Sequence, residues 1–169
     1  MLETRTQHWP DEAACAASAG ALAHAVATHA ALTDAFIELH GPLGAGKTTF
    51  VRHLLHALGV EGRVKSPTYA VMEPYELVGD GAPFGLTREG ASLHIWHFDF
   101  YRFNDPQEWE DAGFRDLFAS RGLKLVEWPE KAEGLLPEAD LRIHIEPLEG
   151  DARSARFDAH THRGVELLA

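Results

Sequence analysis

The chain has 169 residues and a mass of 18.6 kDa, the size of one domain with a single substantial core. Its 45% hydrophobic and 24% charged residues fit a folded globular protein; no apolar run is long enough for a bilayer, no basic-then-apolar signal pattern is expected from the opening residues, and lone Cys15 excludes an intrachain disulfide. The lone cysteine also suits a reducing compartment, so a cytosolic protein is expected; with 26 acidic residues against 15 Lys and Arg, the net charge of −11 argues against strong non-specific nucleic-acid binding and favours a small anionic ligand held with metal, or a protein partner.

From Pro10 to His29 the sequence reads as an Ala-rich helix, with Asp11 to cap it and Cys15, Ala19, Leu22 and Val26 along one face. Ala35 to His40 is a short buried strand running into Gly41-Pro42-Leu43-Gly44-Ala45-Gly46. Lys47 to Leu58 carries apolar residues at helical spacing and stops at Gly59. Tyr69 to Leu77 alternates like a strand, and Pro74 assigns it to an edge or a bulge. Residues 76–92 read as an extended hairpin or loop insertion. Leu93 to Phe98 is a strand ending in Asp99, Asp105-Pro106 opens a helix, and Phe114 to Ala119 forms a second short one. Leu123 to Val126 is a strand ending in Glu127, and the tail folds as a hairpin of Leu141 to Glu146 and Ala155 to Ala159. His160 and His162 fall two apart on one face of a possible strand, a weak metal signal without a third ligand. The expected fold is a three-layer α/β domain with a mostly parallel central sheet, antiparallel edge strands and helices on both faces.

Strand, glycine loop and helix frame the motif that carries chemistry. Gly41-Pro42-Leu43-Gly44-Ala45-Gly46-Lys47-Thr48 matches the phosphate-binding P-loop pattern G-x-x-x-x-G-K-[ST]. The glycines let backbone amides converge on phosphate, and the helix start adds its positive dipole end. Lys47 reaches the outer phosphates, and the Thr48 hydroxyl is placed for Mg²⁺. Such a site needs a carboxylate at a neighbouring strand end, for which Asp99 and Glu127 both qualify. Spacing alone leaves open which one ligates metal and which orients water. Ser66-Pro67-Thr68 suits a phosphate-sensing switch, although the pattern alone favours a proline turn. Arg102 suits either a charge-stabilising role or a surface salt bridge. No Asn-Lys-x-Asp is present to support guanine specificity.

Several segments together resemble the TsaE (YjeE) family: the loop with Thr49-Phe50, Val64 to Tyr69, Glu73-Pro74-Tyr75, His97-Phe98-Asp99-Phe100-Tyr101-Arg102 and Leu125-Val126-Glu127-Trp128-Pro129. The resemblance implies an ATPase for threonylcarbamoyladenosine formation beside the tRNA anticodon. It would act with TsaD and TsaB, reset their complex by hydrolysing ATP, and meet tRNA mainly through them. By residue match, Gly41, Leu43, Gly44, Ala45, Gly46, Lys47, Thr48 and Thr49 hold the nucleotide, with Trp128 beside it. Thr48 and Glu127 are metal-linked, Asp99 with Tyr101 and Arg102 belongs to a second switch, and Ser66 to Thr68 form the first. Trp9 and the first helix start are candidates for the adenine. Pro42 departs from the family's usual acidic residue, and 76–92 is longer than its usual connection. A small-molecule P-loop kinase and a nucleotide-dependent binding module are the alternatives.

Overall fold

The computed structural model describes residues 1–64, 71–78 and 92–169. Strands β1 (Glu3–Trp9), β2 (Phe36–His40), β3 (Met72–Val78), β4 (Ser92–Asp99), β5 (Leu123–Glu127), β6 (Leu141–Pro147) and β7 (Arg153–Ala159) form one sheet. Its order is β1-β7-β6-β2-β5-β4-β3. The four inner strands β6, β2, β5 and β4 run parallel, while β3, β7 and β1 pair antiparallel at the two sides. That is the expected mixed sheet.

Side chains alternate across each strand, so the sheet needs cover on both faces. On one face Ile37, Leu39, Leu93, Ile95, Leu123 and Leu125 pack in a core shared with α1 (Glu12–Thr28) and α2 (Lys47–Leu58). Asp11 caps α1 by accepting from the Ala14 amide at 2.9 Å. The expected stripe of Cys15, Ala19, Leu22 and Val26 is buried. On the other face Phe36, Phe98 and Val126 meet Trp109 of α3 (Pro106–Asp111) and Phe114 of α4 (Phe114–Ala119) in an aromatic cluster.

Three readings of the sequence need correction. β1 was not anticipated, because only Trp9 in it is buried and the rest carries no apolar pattern. The tail continues past β7 into α5 (His162–Leu168), so His160 and His162 do not share a strand: β7 ends at Ala159 and Thr161 caps the helix. β3 starts at Met72, with Val71 before it in a bend instead of the strand, while Tyr69 lies outside the described residues; β3 is the edge strand that Pro74 indicated. Of the expected 76–92 insertion, Glu76 to Val78 pair with β4, and 79–91 lie outside the described residues.

Candidate nucleotide-binding site

Parallel strands leave a crevice beyond their carboxyl ends, and the glycine loop lies there between β2 and α2. Gly41 comes so close to β6 that a Cβ on it would lie 2.5 Å from the Ile145 carbonyl oxygen, with φ at +149°. Gly46 turns the chain into α2 in the left-handed conformation. Behind the loop, Arg153 of β7 donates from Nε to the Ala45 carbonyl at 2.9 Å. The front of the loop, Leu43 to Thr49, lines a cleft with Asp99, Tyr101, Glu127 and Trp128.

Register brings the two strand-end acids to this cleft. Glu127 lies opposite Leu39 of β2 on one side and Asp99 of β4 on the other. Thr48 Oγ1 donates to Glu127 Oε1 at 2.8 Å, and His97 Nε2 lies 2.6 Å from Glu127 Oε2. Glu127 is 2% exposed. Asp99 accepts from the Tyr101 amide at 3.0 Å, which bends the chain after β4 across the mouth of the cleft.

Lys47 is only 5% exposed. Its ammonium donates to the Gly41 carbonyl at 2.5 Å and sits 3.4 Å from the centre of the Trp128 ring, a cation–π contact. Burial pulls the Lys47 pKa below its ordinary value, while Glu127, Glu130 and Asp99 oppose that shift. Trp128 is held over the lysine by a left-handed backbone (φ 56°), the one positive φ outside glycine among the described residues. That conformation costs on the order of 1 kcal/mol. The Tyr101 ring leans on the indole at 5.0 Å.

The oxygen donors here suit a hard cation: a hydroxyl and a buried carboxylate side by side, with a second carboxylate on the same cleft. Among the described residues no group of three or more His, Cys, Asp or Glu could hold a metal alone. Mg²⁺ commonly takes one or two protein oxygens and completes its shell from phosphate and water, so the donor set fits it.

The structure thus brings Lys47, Thr48, Asp99, Glu127, Tyr101 and Trp128 together. Arg102 is exposed and does not line the cleft. Ser66, Pro67 and Thr68 lie outside the described residues. Trp9 is buried against Phe50, rings 5.7 Å apart, and lines a separate cleft with Glu12, Cys15, Thr49 and Arg153 on the other side of the loop. His97 received no role from the sequence. Its signal was its place in the apolar row Leu93, Ile95, His97 on β4.

A family model described as threonylcarbamoyl adenosine biosynthesis protein TsaE matches residues 9–155. The chain belongs to the TsaE family. It is 36% identical over 168 residues to the tRNA threonylcarbamoyladenosine biosynthesis protein TsaE of Haemophilus influenzae, covering 99% of this chain and 98% of that one. It is 37% identical over 145 residues to the protein of the same name from Bacillus subtilis, covering 82% of each. Among solved structures, Bacillus subtilis YdiB superposes with a TM-score of 0.73 at 27% identity, over 99% of this chain and 93% of that one. The TsaE-family segments noted in the sequence include the loop, the start of α2, and the ends of β4 and β5, which supply residues lining the cleft.

Proposed function

We propose that this TsaE-family chain is a Mg²⁺-dependent ATPase needed to form threonylcarbamoyladenosine in tRNA, acting with TsaD and TsaB in the cytoplasm and resetting their complex between turnovers. The observation that carries the reading is the Thr48–Glu127 hydrogen bond at 2.8 Å beside a P-loop lysine, the hydroxyl–carboxylate pairing that nucleotide hydrolases use around a cation. The relatives' names supply the pathway.

In this reading the whole chain works as one ATPase domain. The amides of Gly44 to Thr49 cradle the phosphates, and Lys47 leaves Gly41 to meet the outer ones as a point charge. Thr48 and Glu127, with Asp99 nearby, would hold Mg²⁺, which when bound offsets charge developing on the transferred phosphoryl group. Asp99 or Glu127 orients the attacking water, and the Trp128 indole covers the site. The cleft beside Trp9, lined also by Asp11, Glu12, Thr49 and Arg153, is the candidate place for the adenine. Of the described residues lining the phosphate cleft, Lys47 is the sole cation, so turnover alone is slow and partners complete the charge stabilisation. An acidic chain of this kind docks on protein and leaves most tRNA contact to TsaD and TsaB.

Reconstituted tRNA modification tests the reading. With TsaD, TsaB, ATP and the activated threonylcarbamoyl donor, wild-type chain sustains many product molecules per TsaD, while Lys47→Ala stalls after the first. Continued multiple turnover with Lys47→Ala, or with no chain added, contradicts it.

A further inference from the structure

Strand periodicity puts Leu93, Ile95, His97 and Asp99 in one row of β4, facing the core beneath α1 and α2. Leu93 and Ile95 are ordinary core residues. His97 is fully buried yet polar, and its Nδ1 finds no hydrogen-bond partner among the described residues. Packing alone gives no reason for an imidazole in an apolar row, because one of its nitrogens is left unsatisfied at a cost that the other must offset. The other ring nitrogen points at Glu127 Oε2, 2.6 Å away.

We propose that His97 is a positioning residue that fixes the Glu127 carboxylate, so that Oε1 faces Thr48 and the phosphate cleft. A carboxylate only accepts, so the proton sits on His97 Nε2 and the imidazole donates. Glu127 is thereby held from both sides, by Thr48 on Oε1 and by His97 on Oε2. A lone pair of the Thr48 hydroxyl can meet a cation while its proton stays on Glu127 Oε1, and as that hydroxyl shifts toward the cation His97 holds the other carboxylate oxygen in place. Buried as it is, the carboxylate has little water to take over. Partners of this kind are what aim a ligating carboxylate. This inference rests on the nucleotide reading above.

The test compares His97→Leu, which fills the row with an apolar side chain, and His97→Gln, whose amide keeps a donor near the Nε2 position. A fluorescent ATP analogue is titrated with Mg²⁺ and again with EDTA, alongside thermal melts. His97→Leu is expected to weaken Mg²⁺-nucleotide binding by about tenfold or more while leaving metal-free binding within about twofold, and His97→Gln to restore most of the loss. Wild-type Mg²⁺ binding in His97→Leu overturns the proposal, as do equal losses with and without Mg²⁺. If His97→Leu does not fold, His97→Asn replaces it, since its shorter amide falls short of Oε2. Long-range ¹H–¹⁵N spectra of the unliganded protein decide the hydrogen bond independently. A proton on Nε2 whose shift moves in Glu127→Gln supports it; a proton on Nδ1, or no movement, overturns it. A wild-type chain that binds no nucleotide in either buffer refutes the nucleotide reading instead, and the spectra then judge the His97–Glu127 pair alone.

Discussion

Replacing Lys47 with methionine separates ligand binding from folding. In the unliganded protein the ammonium gains a hydrogen bond to Gly41 and a cation–π contact with Trp128. Those are worth roughly 1.5–3 kcal/mol and about 1–2 kcal/mol. Against them stands the removal of a charge from water, which costs several kcal/mol per buried ion. Methionine keeps the stem's apolar contacts and pays no charge desolvation. The two sides nearly cancel, so Lys47→Met should unfold in denaturant within about 1–2 kcal/mol of wild type. Nucleotide binding is predicted to behave differently, because the charge-assisted bond to phosphate that the proposed function gives Lys47 would disappear without replacement. At roughly 1.5–3 kcal/mol, affinity falls by about 10- to 150-fold. Calorimetric titration with a non-hydrolysable ATP analogue and Mg²⁺ reads the second effect, and equilibrium urea unfolding the first. A variant that binds within twofold of wild type refutes the reasoning. So does one destabilised by more than about 4 kcal/mol, since the lysine would then be structural.

Gly41→Ala must place its Cβ against the Ile145 carbonyl with φ at +149°, a clash with backbone that no rotamer relieves. A penalty of about 2 kcal/mol lowers the melting temperature by roughly 4–8 °C, together with loss of nucleotide binding; an unchanged melt contradicts the close packing. His144 has its pKa lowered from 6.5 to about 4 by burial, then by His40, whose ring stacks on it at 4.6 Å, and by Arg156 and Arg142, against the opposing carboxylate of Asp158. The unfolded chain therefore takes this proton near pH 6.5 and the folded one only near 4, so its contribution is complete above pH 6.5 and is lost as pH falls toward 4. With the side chain about a third exposed, the effect is discounted to about 1 kcal/mol. His144→Asn should flatten urea-unfolding stability between pH 6.5 and 4, and an unaltered acid limb would rule the assignment out.

What could be read from the sequence was what local pattern encodes. β2, the glycine loop and α2 follow one another with the apolar run, the turn residues and the helical spacing all present, and α2 begins at Lys47 and ends before Gly59 as expected. The acids at the ends of β4 and β5 were visible as candidates because each closes an apolar strand. Their meeting with Thr48 depends on β2, β5 and β4 being neighbours, which is a matter of sheet order. β1 was hidden because its stability comes from pairing with β7, more than 140 residues away, and its side chains are mostly exposed. α5 was hidden because it spans only seven residues and has Gly164 in its first turn. At the site, the fold of Lys47 onto Gly41 beneath Trp128 had no sequence signal, since it depends on the left-handed turn after Glu127. His97 was hidden in plain sight: a histidine in an apolar row looks like any core residue until its partner is known.

The central claim is a partner-dependent ATPase, and Mg²⁺-ATP turnover by the purified chain tests it most directly. The account predicts slow hydrolysis alone, a sharp rise when TsaD and TsaB are both added, and abolition of both rates in Lys47→Ala. Turnover that ignores the partners, or that survives in Lys47→Ala, would contradict it.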